Sequence, residues 1–339
     1  MLLRSLEEVG VQRWDEAALT LPGAGLFHHS AWAAVVRDGL GATPWFLAAE
    51  QDGEIVGLLP LAQLRRGLHT DLISLPLATV CGSVCSPAAN AAAVDRFLHN
   101  NALDLATSLS ARCVELRGFQ ADVQTPAAYA TFHKTLDTSA TDLKWIPTRQ
   151  RAEVRKARQA GLTLITNQDV AGFGRWYDRA TQRLGSPGLG QAPFKAIAAH
   201  LPEHHYAVHW VHHQGQPISA VLTYYWGNTV MPYYAAALPA ARALRAAPFV
   251  YAEIACLAAQ QLGRHTFDFG RSISGTGAFA FKKNFGFQPT YLDYQRTTPD
   301  GSPAPALMTQ PPKWLSQAWR LTPHAIARLL IPGVRNLAV

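Results

Sequence analysis

The chain has 339 residues, a formal net charge of +7 and 48% hydrophobic content, with 9 Trp, 14 Phe and 10 Tyr. That apolar content excludes global disorder, and the length allows one large or two ordinary domains. Four cysteines (Cys81, Cys85, Cys113, Cys256) lack zinc-ribbon or redox spacing, and the basic balance favours anionic partners.

The opening MLLRSLEEVG has glutamates where a signal peptide needs an apolar run. No uninterrupted apolar segment reaches about 18 residues, so the sequence predicts a cytoplasmic chain without a membrane span. A helix is predicted around Ser30–Gly39, then a hairpin over Trp45–Leu64 turning at Asp52-Gly53. A Gly/Ser-rich segment (75–88), a helix over Ala91–Ser110 and a strand at Arg112–Gly118 complete a first unit, residues 1–140. The second unit, residues 141–298, opens with a helix over Pro147–Ala160 closed by Gly161, and a second over Val170–Leu184.

A second hairpin, His205–Tyr225, turns at Gln214-Gly215. In each hairpin a small residue, Gly57 or Ser219, follows the turn by four and precedes an apolar run. Two hairpins of one design predict two copies of one unit. A strand over Thr229–Ala236 and an Ala-rich helix over Ala247–Leu262 follow, with Pro248 in the first turn and Gly263 closing it. A short strand, Thr266–Phe269, then leads through a Gly/Ser-rich loop to a short helix and a last strand ending near Arg296. Helices that alternate with hairpins predict an α/β fold with mixed sheets.

Residues 299–312 read as a Pro-rich linker, and no acidic residue follows Asp300. The tail interleaves Lys313, Arg320, Arg328 and Arg335 with Trp314, Leu315, Trp319, Leu329 and Leu330. It reads either as a basic amphipathic helix resting on anionic membrane or as a terminal helix docked on the protein itself.

Candidate chemistry concentrates in Thr266–Pro289. Strand alternation places Phe267 and Phe269 on one face and Asp268 on the other, beside a loop holding Arg271, Ser272, Gly275 and Gly277. Asp268 is a candidate base or loop anchor, and Arg271 and Lys282 are candidates to hold an anion. Phe281 and Phe285 lie four apart on one helical face, with Lys282 at its margin and Lys283 turned to solvent. Tyr224 and Tyr225, and Tyr233 and Tyr234, fall on adjacent strands, where alternation sends one of each pair to each face. Arg151, Arg155 and Arg158 form a positive stripe suited to phosphate or RNA, or an ordinary solvated face. No His-Glu-x-x-His, Gly-x-Ser-x-Gly or Walker loop is present, and adjacent histidines such as His212-His213 make poor metal sites.

The run F-D-F-G-R-S followed by G-T-G-A-F-A-F-K-K-N-F-G-F-Q-P (residues 267–289) resembles the FemAB-like branch of the GNAT acyltransferase superfamily. It is most similar to FemAB-related proteins associated with exosortase/PEP-CTERM systems and exopolysaccharide gene clusters. Supporting pieces are Arg155-Lys156-Ala157-Arg158, Leu184-Gly185-Ser186-Pro187, residues 217–222 and Met231-Pro232-Tyr233-Tyr234. In the first half Phe27-His28-His29-Ser30-x-Trp32 and residues 57–61 match as well, so the resemblance covers residues 20–296.

The resemblance implies two GNAT-like domains in tandem, with the family's Phe-Lys motif on Phe281 and Lys282 near the donor. It implies transfer of an acyl or aminoacyl group from acyl-CoA or aminoacyl-tRNA, with no tightly bound cofactor. One departure stands out. The Q/R-x-x-G-x-G/A pyrophosphate loop is absent, and the nearest candidate, Gln182-Arg183-Leu184-Gly185-Ser186-Pro187, ends on a proline that offers no amide. No heptad run marks the coiled-coil arm of some tRNA-dependent members.

The leading expectation is an acyltransferase acting on an envelope or exopolysaccharide precursor, such as a lipid-linked saccharide, at the inner face of the membrane. Lys282, Asp268 and Arg271 would be catalytic, with Tyr224, Tyr233, Tyr234, Ser272, Gly275, Gly277, Phe281 and Arg155 binding substrate. A non-catalytic GNAT-like binding module and a sequence-independent RNA-binding protein are the alternatives.

Overall fold

The computed structural model describes residues 1–119, 128–136, 143–305 and 313–337. Its first strands are β1 (Leu2–Ser5), β2 (Thr43–Gln51), β3 (Glu54–Arg66), β4 (His69–Ile73), β5 (Val84–Cys85), β6 (Val114–Phe119) and β7 (Tyr129–Thr135). The later ones are β8 (Thr163–Asn167), β9 (Tyr206–His213), β10 (Gln216–Trp226), β11 (Thr229–Ala237), β12 (Thr266–Asp268), β13 (Ser272–Ile273) and β14 (Gln288–Thr297).

Both hairpins form, for one reason. Asp52 (φ 53°) with Gly53 (φ 84°), and Gln214 (φ 51°) with Gly215 (φ 74°), supply the two consecutive positive-φ residues of a tight turn. Each hairpin also carries a register shift just before its small residue, between the Glu50↔Ile55 and Ala49↔Gly57 pairs and between the Pro217↔His212 and Ser219↔Val211 pairs. Gly57 is small because a Cβ there would lie 2.6 Å from Val94 Cγ1 on the helix Ala91–Ser108. At the matching place Ser219 Oγ donates to Ala236 O at 3.1 Å.

All strands join one mixed sheet ordered β1-β2-β3-β4-β6-β14-β7-β12-β11-β10-β9-β8, with β5 on β3 and β13 on β7. The halves interlock at the centre. β7 pairs with β12, while β14, the last strand among the described residues, lies between β6 and β7. The boundary expected at residues 140–141 lies outside the described residues. Parallel pairing occurs at β4–β6 and β11–β12, each over two residue pairs.

One face of the sheet buries a core common to both halves, with Trp14, Trp32 and Leu58 beside Phe173, Phe194 and Tyr224. Gly39 lets the helix Ala31–Leu40 approach the helix Gln191–His200, since a Cβ would sit 2.9 Å from Pro193 Cα. The other face carries separate cores, around Leu59 and Leu98 in the first half and around Phe267, Phe285 and Val250 in the second. The predicted helices recur within two residues of their expected ends, as Thr148–Gln159, Val170–Arg183 and Ala246–Gln261. Among the described residues no helix is long and apolar enough to cross a membrane.

Candidate active site

The β11–β12 ladder stops after Thr229↔Thr266 and Val230↔Phe267; beyond it β11 stays with β10 and β12 with β7. Asp268 sits where the ladder ends. Its carboxylate accepts from Gly270 N at 2.8 Å and Thr131 Oγ1 at 2.9 Å, and pairs with His133 Nε2 at 3.3 Å. Burial opposes the charge, but these contacts, led by His133, win and hold its pKa below the usual carboxylate range. His133 moves up in return: burial lowers its pKa, and the Asp268 contact outweighs that. Gly270 takes φ 67°, which lets the chain turn out of the strand.

The helix Gly277–Asn284 begins at Thr276, whose hydroxyl accepts from Phe279 N at 3.4 Å and donates to Ile273 O at 2.7 Å. This cap aims Lys282 back beneath the loop. Lys282 is 9% exposed, and its ammonium donates to Gly270 O at 2.7 Å and Arg271 O at 3.1 Å. It lies 5.5 Å from the Phe132 ring and 5.6 Å from the Phe269 ring. Burial pushes its pKa down to about 7, with Asp268 pulling it up and Arg271 pressing it down. Lys283 is exposed, as its helical position requires.

Arg271 stacks between two tyrosines, 5.0 Å from the Tyr129 centroid and 5.8 Å from that of Tyr294, and donates to Tyr294 Oη at 3.3 Å. Burial works against its charge, but the tyrosines, Tyr294 first, raise its pKa. A hydrogen-bonded chain continues across the sheet. Tyr294 Oη donates to Thr79 O at 2.6 Å, Thr79 Oγ1 lies 3.0 Å from Tyr233 Oη, and Tyr233 donates to Leu77 O at 2.5 Å. Tyr224 and Tyr225 follow strand alternation, one in the shared core and one in the opposite core. Tyr233 and Tyr234 do not. The register jumps from Leu222↔Tyr234 to Thr223↔Pro232, so Tyr233 is an inserted residue and both rings face the shared core, 4.9 Å apart. Tyr224 Oη and Ser272 Oγ are buried, with no hydrogen-bond partner among the described residues.

Residues 148–283 match the family model described as an acetyltransferase (GNAT) domain. Every candidate site residue from Arg155 to Lys282 falls inside that GNAT stretch. Among solved structures the chain resembles FemX at 15% identity, covering 86% of this chain and 96% of that chain, with a TM-score of 0.66. It also resembles a tandem GNAT protein from the clavulanic acid biosynthesis pathway, at 13% identity over 86% and 96% with a TM-score of 0.54. A third is the C-terminal domain of a lysylphosphatidylglycerol synthetase, described as putative, from Agrobacterium fabrum, at 14% identity over 84% and 90% with a TM-score of 0.50. At these identities the likeness is one of fold, and the fold is a tandem of GNAT-like units merged into one sheet. No curated protein sequence matches the chain.

The structure brings together Asp268, Arg271, Ser272 and Lys282 of the GNAT stretch, with Tyr233 reached through Thr79 and Tyr294. Gly275 and Gly277 are exposed on the loop. Phe281 instead joins the aromatic core, 5.5 Å from Phe285 and 5.8 Å from Tyr251. Arg155 is exposed on the helix Thr148–Gln159, and its stripe is partly neutralised where Arg158 bonds Glu253 at 2.8 Å. Gln182–Pro187, the nearest match to a pyrophosphate loop, seats the C-terminal tail: Gln182 donates to Thr322 O at 2.6 Å and Arg320 to Leu184 O at 3.0 Å.

Thr131, His133, Tyr129 and Tyr294 were not singled out by sequence reasoning. One signal was present, because Tyr129-Ala-Thr-Phe-His-Lys-Thr alternates, with Thr131 and His133 on one face and Ala130 and Phe132 on the other. Among the described residues no group of three or more His, Cys, Asp or Glu side chains is placed to hold a metal ion.

Proposed function

We propose that the chain is an acyltransferase that moves an acyl or aminoacyl group from an activated ester or thioester to an amine or hydroxyl. The observation that carries this reading is Lys282, a sheltered amine with a pKa near 7, at the end of a parted strand pair inside the GNAT match. Two positions on Nζ are filled by Gly270 O and Arg271 O. The third carries an N–H in the ammonium and a lone pair in the free amine. A phosphate or a developing oxyanion placed there favours the charged form, so an anionic donor turns the lysine into the cation it needs.

The acceptor nitrogen or oxygen attacks the acyl carbonyl, the C–O or C–S bond to the donor breaks, and the acceptor gives up its proton. Asp268 is a weak base for that proton, because His133, Thr131 and Gly270 already stabilise its charge. Its work is to hold the loop, and the acceptor's own phosphate takes the proton. Arg271, braced by Tyr129 and Tyr294, grips a phosphate or carboxylate. The unpartnered hydroxyls of Ser272 and Tyr224 supply two buried groups for a polar substrate. The acceptor class, an envelope or exopolysaccharide precursor, rests on the resemblance over residues 20–296; FemX and the C-terminal domain described as that of a putative lysylphosphatidylglycerol synthetase are similar in fold.

Donors are found by thermal stabilisation with acyl-CoAs, aminoacyl-tRNA analogues and nucleotide sugars, where a hundredfold excess over Kd adds about 2.7 kcal/mol. With the donor so found, Lys282→Ala and Lys282→Met lower turnover at least about tenfold, or about 1.4 kcal/mol of barrier, while their melting curves stay cooperative. Near-normal turnover in both removes Lys282 from the chemistry. Donor binding without donor consumption by the native chain would make it a binding module instead.

A further inference from the structure

The C-terminal helices Lys313–Leu321 and His324–Val334 turn one face to the protein and leave another unpartnered. Inward, Trp319, Ala327 and Ile331 are buried together. Gln182 Oε1 lies 2.7 Å from His324 Nδ1, and Gly185 makes room for the first helix, since a Cβ there would lie 2.7 Å from Ser316 O. Outward, Trp314, Leu321 and Leu329 remain 68%, 84% and 81% exposed, as does Leu184 at 73%, whose carbonyl accepts from Arg320. Trp314 and Leu321 lie seven residues apart, so they share one helical face.

A cavity of about 460 Å³ opens where this tail meets the helix Val170–Arg183, lined by Arg179, Gln182, Arg183, Arg320, Thr322 and His324. No acid lines it. The acidic neighbour, Asp178, is buried and bound to Gly190 N and the Gln191 amide. Arg179, Arg183 and Arg320 make the lining positive. Burial first, then Arg179 and Arg328, pushes the His324 pKa down, and Asp178 pulls it up.

We propose that this junction docks on an anionic bilayer, the cavity taking a phospholipid phosphate while Leu184, Trp314 and Leu321 enter the interfacial layer. Three guanidinia around one cavity match a phosphate's charge and its bidentate geometry. The exposed Leu184 and Leu321, next in sequence to the lining residues Arg183 and Arg320, decide the source. A free phosphate has no use for exposed Trp and Leu side chains, whereas a lipid presents phosphate and hydrocarbon side by side. The surface acts whether or not the acyl-transfer reading holds.

The full chain is sedimented with phosphatidylcholine vesicles, with and without phosphatidylglycerol. Binding is expected only with phosphatidylglycerol and weakens with salt. Arg179→Gln and Arg183→Gln, both at exposed positions, each lower partitioning about fivefold. Leu321→Ser and Trp314→Ser lower it by a similar factor, and every variant keeps the native melting curve. Equal binding to neutral vesicles, or binding to neither kind, overturns the proposal. So does saturable stabilisation by inorganic phosphate with no vesicle binding, which would make the cavity a site for a soluble anion.

Discussion

The two halves of the sheet each place an acid where a short parallel ladder ends, and they treat it in opposite ways. In the first half Glu115, paired with Ile73, is met by Arg66 at 3.2 Å, Arg117 at 2.9 Å and Arg296 at 3.3 Å. Asp71 beside it is held by Arg66, Arg112 and Arg296. Burial disfavours the Glu115 charge, but the guanidinia, Arg117 first, outweigh it and lower its pKa. Arginine keeps its proton at any physiological pH, so this cluster is electrostatically fixed. In the second half Asp268 has a histidine, a hydroxyl and a backbone amide instead, with Lys282 close enough for Asp268 to raise its pKa. There burial brings Lys282 down to about 7, while the Asp268 contact raises the His133 pKa against its burial. One acid is thus locked among arginines, while the other sits beside a lysine whose charge responds to pH, and this contrast favours the proposed site around Lys282.

The comparison breaks most sharply at Glu115. Glu115→Ala removes the carboxylate that three buried guanidinia share, and costs about 3–5 kcal/mol in urea unfolding. A loss below about 1 kcal/mol would mean that the first-half cluster is no clamp. The next largest effect is a pH slope. Lys282 holds its proton more weakly in the folded chain than in the unfolded one, so its burial costs stability most fully below pH about 7. The cost fades as pH rises from there towards the ordinary lysine value of 10.5, and stability gains about 1.4 kcal/mol per pH unit from this group. Unfolding of the native chain and of Lys282→Met across that range isolates the term, because the variant lacks it. The smallest effect is at Tyr233. Tyr233→Phe breaks the bonds to Thr79 and Leu77 O and costs about 1 kcal/mol, measured by melting.

The parts of the fold that depend on neighbours in sequence were legible. Asp52-Gly53 and Gln214-Gly215 announce their turns because few dipeptides tolerate two positive φ angles, and Gly57 and Ser219 mark the repeated register shift that follows. The interlocking of β7 and β14 was not legible. Nothing local in residues 129–135 states that Thr131 and His133 will face Asp268, since that register is set by strands more than a hundred residues away. The site followed the same division. Phe267, Phe269, Phe285 and the outward Lys283 obey simple periodicity, whereas the inserted Tyr233 overturns the alternation expected of its pair. The carbonyls that bind Lys282 depend on how the loop folds back, which spacing alone does not reveal. The tail was half legible: its basic and apolar composition showed, but its seat on Gln182–Gly185 required the long-range contact.

The most direct test is to follow the ε-carbon resonances of isotopically labelled lysine by NMR through a pH titration, with Lys282→Arg to assign the signal. The account predicts one resonance titrating near pH 7 and absent from the variant. A Lys282 midpoint above about 10, the range of a freely solvated lysine, would contradict it.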